Sequence, residues 1–268
     1  MLTVEERDKA LSDINPARNK VAVCFSGQIR TWRKCVDSWK HILKVLGQED
    51  ADVFCHLWDY NTIPNSITKD DREGKLVEQE EINAILNILQ PKKFLVESRR
   101  DFKPYNANQP IDFPGFLSQY YGIMRSANLK REYEIENDFR YSAVARSRYD
   151  ILYTEAVTGM YHNMKPGTMK TMGMIWDAEK HRGRISDLFW VADSDSYDII
   201  ADYYINQYYM NKDMFPRKPE EMIYPETIFF HYIKKNNITM IPNFWELKVM
   251  RESLELSHTK KEGGYEVW

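Results

Sequence analysis

Glycine is scarce in this chain, at 11 of 268 residues. None stands in a GxGxxG or GxxxxGK[ST] pattern, so the glycine-cradled phosphate sites of dinucleotide and P-loop proteins are excluded. Cysteine is scarcer still. Cys24, Cys35 and Cys55 form no CxxC pair and leave an odd thiol, which argues for buried free thiols rather than a disulfide framework. The six histidines show neither HxxxH nor HExxH spacing, so a helical zinc site is not expected. The Gly-x-Ser-x-Gly elbow is absent as well. No sign of charge dominates: 37 basic against 40 acidic residues give a net −3, which argues against a dedicated nucleic-acid binder. No apolar run approaches a transmembrane span. The start, Met1-Leu-Thr-Val-Glu-Glu-Arg, has no apolar signal core. A cytoplasmic setting is expected, with peripheral work at a membrane surface left open.

Hydrophobic residues make up 43% of the chain, enough for a substantial core. Tyrosine (17) and tryptophan (7) are plentiful. Sugar C–H faces stack on aromatic rings, so this richness is compatible with carbohydrate binding, but aromatics fill ordinary cores too. Tyr203-Tyr204 and Tyr208-Tyr209 are read as core or as a partner surface.

Residues 1–19 form a polar lead-in. Val21–Phe25 is a buried strand, and Trp32, Val36, Trp39, Leu43 and Leu46 recur at helical spacing up to Gly47. A strand follows at 51–58, then a polar loop at 61–76. A helix marked by Ile82, Ile85, Leu86 and Leu89 stops before Pro91, and a strand lies at 94–96. After a proline-bearing loop, 98–114, a helix runs over 116–136. The next strand begins near Tyr141. The order β-α-β-α-β-α-β predicts a parallel sheet wrapped by helices. Beyond Asp150, strands are expected at 169–175, 187–192 and 238–241, and helices at 196–210 and 225–236. The scattered lysines and arginines are read as solvated faces. One domain over 20–250 is favoured, with a nucleotide-type half (20–153), an acceptor-type half (154–250) and a mobile tail (251–268).

The richest segment is Tyr141-Ser-Ala-Val-Ala-Arg146-Ser-Arg148-Tyr149-Asp150. An apolar strand surfaces there into two arginines and a carboxylate. Ligands of open α/β sheets bind outside the carboxyl ends of strands. Arginine grips phosphate bidentately, and an aspartate facing phosphate makes sense mainly with a divalent cation between them. The plain alternative is a surface ion pair of these arginines with Asp150. Ser26-Gly27-Gln28-Ile29-Arg30 is a second candidate: Gly27 lets a ligand approach the backbone, helix-start amides accept oxygens, and Arg30 adds a cation. It reads equally as a tight turn. Asp193-Ser194-Asp195 has the DxD spacing of a metal site, but it precedes a helix and is read first as a cap. Asp187 opens the expected 187–192 strand, facing an acceptor or merely starting the strand. Glu226, after Pro225, suits a helix start or a general base on a sugar hydroxyl. His56 is read as a satisfied core histidine.

Three stretches carry a family resemblance: Val21–Thr31, Ser38-Trp39, and Ala51-Asp-Val-Phe-Cys-His-Leu-Trp-Asp59. With Gln119, Val144–Asp150, Asp187-Leu-Phe-Trp and Pro225-Glu226, they resemble glycosyltransferase-like proteins of bacterial surface-polysaccharide loci and viruses, including relatives of the WavE lipopolysaccharide-synthesis family. The resemblance runs from about residue 20 to 240. It implies a GT-A type fold, a single three-layer α/β/α sandwich with a Rossmann-like nucleotide half and a mixed acceptor half. It implies a nucleoside-diphosphate sugar as donor, a glycan or lipid-linked saccharide as acceptor, and Mn²⁺ or Mg²⁺. Gly27, Gln28 and Arg30, with Ser26, are implied to line the nucleotide pocket, and Arg148-Tyr149-Asp150 to replace the usual DxD. Asp150 is then the metal ligand, Arg146 or Arg148 shares the diphosphate charge, and Glu226 or Asp187 serves the acceptor hydroxyl. One acid stands where two are usual. The alternatives are therefore a catalytically inactive nucleotide- or glycan-binding module on the same fold, or another metal-dependent nucleotide transferase.

Overall fold

The structure is a computed structural model. It describes residue 6 and residues 20–45, 49–62, 74–103, 114–154, 160–161, 164–172, 174–177, 182–206, 225–243, 247–250 and 255–257. The lead-in at 1–19 (residue 6 apart), Gly47, Tyr208 and Tyr209 lie outside the described residues.

Seven strands form the central sheet: β1 (Val21–Gly27), β2 (Asp52–Trp58), β3 (Lys93–Glu97), β4 (Ala143–Ser147), β6 (Thr168–Met172), β7 (Trp190–Ala192) and β8 (Thr239–Asn243). They lie side by side as β8-β6-β7-β4-β1-β2-β3. The pairs β1–β2, β1–β4, β2–β3 and β6–β8 are parallel. Only β7 runs against its neighbours, β4 and β6. β5 (Ile151–Tyr153) leaves this sheet to pair with β9 (Leu247–Met250), which pairs in turn with β10 (Glu255–Ser257).

Strand β1 has no polar face because both its faces are covered. Val21, Val23 and Phe25 meet Trp32, Trp39, Ile82 and Ile85 in one core layer. Ala22 and Cys24 meet the other layer, built by helices α2 (Pro114–Asn137), α3 (Ser194–Ala201) and α4 (Pro225–Lys235). Helix α1 (Gln79–Leu89) lies in the first layer and stops at Gln90, which takes the left-handed conformation before Pro91. The expected three-layer α/β/α sandwich with a mostly parallel sheet is what forms.

Several local expectations shift. The helix expected from Trp32 to Leu46 is broken into Trp32–Cys35, Val36–Ser38 and Lys40–Leu43. Ser38 Oγ donates back to the Cys35 carbonyl and accepts the Tyr153 amide, so a side chain competes with the helix ladder. The 61–76 loop contains a short antiparallel pair, Tyr60–Thr62 with Gly74–Leu76. The expected 169–175 strand ends at Met172, and Met174–Asp177 pairs instead with Arg182–Ile185. The expected mobile tail, 251–268, holds β10; of its other residues none is described. Cys24, Cys35 and Cys55 are buried free thiols, and burial pushes each up to about 12. Tyr203 and Tyr204 are core residues.

Candidate functional site

The neighbouring parallel strands β1 and β4 bring their carboxyl ends to one edge, and the chain places its charge there. β1 ends at Gly27, whose φ of +121° belongs to glycine, and a Cβ built on it meets no atom within 4 Å. The backbone there faces open space. Arg30 follows with a φ of +23°, a strained value for a side-chain-bearing residue. Its amide donates to Asn61 Oδ1 at 3.1 Å and its Nε to Gln28 Oε1 at 2.8 Å. The guanidinium is thus aimed by its own turn.

β4 delivers the second group. Arg148 grips Asp150 with a bidentate fork, Nε to Oδ1 and Nη2 to Oδ2, each at 2.7 Å. Arg30 Nη1 stands 3.8 Å from the same Oδ2. The Asp150 side chain is 1% exposed, against 14% for Arg148 and 18% for Arg30, so it is the guanidiniums that reach solvent. Burial alone would lower the Arg148 pKa, but Asp150 holds it above the ordinary arginine value. Arg146 behaves differently. It is wholly buried, donates from Nη1 to the Leu188 carbonyl, and leaves Nε and Nη2 without a hydrogen-bond partner. Burial first, then Arg148, pushes it down to about 10.

Antiparallel β7 explains how Asp187 joins the cluster. Trp190 pairs with Arg146, so the bend just before β7 returns to the carboxyl end of β4. The strand begins at Trp190 rather than at the expected 187, leaving Asp187 in the bend. The Gln119 side-chain amide, from α2, donates to its Oδ2. Glu226 sits in the first turn of α4. It and Asp187 both act on the buried Tyr120 phenol, which is raised well above its usual range by burial, then by Asp187, Tyr203 and Glu226. Ser26 belongs to β1 itself; its buried side chain lies under Gly122 of α2, not in the turn. Gly27, Gln28, Arg30, Arg148, Asp150 and Asp187 therefore share one edge, whereas Ser26 and Arg146 lie beneath it.

Two other candidates prove structural. Asp193 caps α3 by accepting the Ser196 amide at 3.1 Å, and its other oxygen accepts from Gly167 and Thr168. Asp195 pairs with Arg140. His56 meets Glu97 at 3.0 Å inside the core. Sequence reasoning did not single out the strap over the site. Thr31 Oγ1 donates to the Met250 carbonyl, and the Met250 amide donates to the Asp150 carbonyl. A separate cleft of about 780 Å³ opens near Trp39, Leu43, Ala51, Ile88 and Lys92; none of its described lining residues belongs to the carboxyl-end cluster.

Among the described residues, no set of three or more His, Cys, Asp or Glu side chains is placed to share a cation. Nor is any helix there long and apolar enough to cross a membrane.

No protein-family model matches the sequence, and no curated protein matches it. Among solved structures, the chain is similar to the apo form of glycosyltransferase GlyE of Streptococcus pneumoniae TIGR4. That pair shares 11% identity over 83% of this chain and 44% of GlyE, with a TM-score of 0.40. The chain thus spans less than half of GlyE. It is also similar to galactosyltransferase LgtC in complex with donor and acceptor sugar analogues, at 10% identity over 82% of this chain and 72% of LgtC, with a TM-score of 0.42. Both of these structures are glycosyltransferases.

Proposed function

We propose that the protein is a glycosyltransferase that moves a sugar from a nucleoside-diphosphate donor to a glycan or lipid-linked saccharide, in the polysaccharide setting to which the sequence resemblance points. The observation that carries this reading is the carboxyl-end cluster. An open turn at Gly27 lies beside two partly exposed guanidiniums, Arg30 and Arg148, and a carboxylate, Asp187, arrives from the opposite half of the chain. Backbone amides and guanidiniums suit a diphosphate, and a carboxylate across from them suits a hydroxyl nucleophile.

In this reading Gly27 and Gln28 receive the donor, and Arg30 and Arg148 take up charge as the diphosphate leaves. Asp187 accepts the acceptor hydroxyl proton as the new C–O bond forms and the sugar–phosphate bond breaks, and Glu226 orients that hydroxyl. Arg146 and Gln119 hold the bend and the carboxylate of Asp187. A divalent cation on Asp150 does not fit the residues present: the Arg148 fork puts a positive charge against both carboxylate oxygens, and among the described residues no set of three or more His, Cys, Asp or Glu side chains is placed to share the ion.

The test is a thermal-shift panel of nucleoside diphosphates and nucleotide sugars, followed by release of free diphosphate from whichever donor raises the melting point. Asp187→Asn is expected to cut turnover about a hundredfold or more with donor binding kept. Binding without turnover on any acceptor would make the chain a binding module. Preference for a nucleoside triphosphate would move it to nucleotidyl transfer.

A further inference from the structure

We infer that the diphosphate is held by an arginine clamp, Arg30 and Arg148 with Asp150 as their buried anchor, and that its recognition needs no divalent cation. This rests on the nucleotide-sugar reading of the same edge.

Both oxygens of Asp150 are already engaged. A carboxylate bound to Mg²⁺ or Mn²⁺ brings an oxygen to about 2.0–2.2 Å from the ion, and such ions collect several oxygen donors. Here Oδ1 and Oδ2 each receive an Arg148 N–H at 2.7 Å. A cation at bonding distance from either oxygen would sit against a guanidinium already pointing at it, so attraction to the carboxylate would be met by repulsion from the arginine. Asp187, the other acid of the cluster, is tied to Gln119, and among the described residues no set of three or more His, Cys, Asp or Glu side chains is placed to hold a cation.

Exposure points the same way. An aspartate that presents a metal to a ligand must turn a lone pair toward the cleft, but the Asp150 side chain is 1% exposed. The groups that do face outward are the two arginines. The fork occupies Nε and Nη2 of Arg148, and Nη1 is the edge left to a ligand. Arg30 is set by Gln28 and Asn61 on a strained backbone, as pre-organised binding groups often are. An anchoring carboxylate fixes the plane of a guanidinium, and a fixed plane is what bidentate phosphate recognition requires. Asp150 is therefore a positioning residue, and the cations it positions do the work assigned to a metal.

The experiment is isothermal titration of UDP, GDP, ADP, CDP and dTDP into the full chain, in EDTA and in excess Mn²⁺, on wild type, Arg148→Gln and Asp150→Asn. The wild type is expected to bind one of them with affinities equal within about twofold in the two buffers. R148Q should lose about tenfold or more for the diphosphate, with binding of the matching monophosphate less affected. D150N should lose less than R148Q and by the same factor in both buffers, whereas a lost metal ligand would cost affinity only with Mn²⁺; a general packing defect would weaken monophosphate and diphosphate alike. Binding by the wild type only with Mn²⁺ would overturn the clamp while leaving the glycosyltransferase reading standing. Failure of folded wild type to bind any nucleoside diphosphate in either buffer would overturn both. The wild-type comparison decides even if a variant does not fold.

Discussion

Burial and hydrogen bonding act on His56 in opposite directions. Burial lowers its pKa below 6.5, Glu97 raises it, and burial wins. The pair at 3.0 Å is therefore a hydrogen bond from a neutral ring, with Nε2–H donating to Glu97. Nδ1 then faces Gly122, where even a methyl carbon would come within 3.0 Å. The unfolded chain takes up a proton near pH 6.5, whereas the folded chain does so only at lower pH. The stability this ring contributes is thus complete above about 6.5 and lost as the pH falls below it. Urea denaturation across that range should show the decline, and His56→Gln should flatten it. The core reading of His56 was legible because it sits in an apolar strand between Phe54 and Trp58. So was the Asp193 cap, because a carboxylate placed just before an apolar helix has free amides to accept. The burial of Arg146 was not legible. Which way a strand-end arginine turns depends on the helix above it, and a linear pattern does not encode that helix's distance.

Helix α2 shows the same limit at the level of an element. Its apolar pattern predicts a helix over 116–136, and the scatter of lysines and arginines predicts that they are solvated. Instead Lys130, Arg131 and Glu134 are fully buried, because α3 supplies their partners. Glu134 accepts from Lys130 at 2.8 Å, Arg140 at 2.8 Å, Ser194 at 2.7 Å and the Tyr141 amide at 2.9 Å. Burial would raise the Asp198 carboxyl, but Arg131, Lys130 and Arg140 hold it well below the usual carboxylate range. A network of this kind contributes little over an apolar packing, yet losing one member strands the rest. Glu134→Gln is expected to cost about 3 kcal/mol, read by chemical denaturation. The broken 32–43 segment was hidden for a related reason. Its apolar spacing is helical, and the interruption comes from one serine hydroxyl and a strand, β5, that lies far along the chain.

At the scale of the molecule, the parallel half of the sheet was legible because β1 to β4 are apolar runs separated by clear helix and turn signals. The last two strands were not. Leu247–Met250 and Glu255–Ser257 are short and mixed in polarity; the first gains its order from β5 and the second from the first. The site itself was half legible: charge following an apolar strand marked Arg148 and Asp150, but only the fold shows Asp150 committed to Arg148. The strap joins residues 219 apart, Thr31 to Met250. Thr31→Val should loosen it by about 1 kcal/mol, seen as faster amide exchange in 247–250 with β1 and β2 unchanged. The strap also sets an order of events during synthesis. The ribosome has delivered every strand of the central sheet by the time residue 243 emerges, yet the Asp150 carbonyl waits for Met250. The site is therefore completed only after the whole sheet has been made, so a chain interrupted between residues 243 and 250 has every strand of that sheet and an unfinished site.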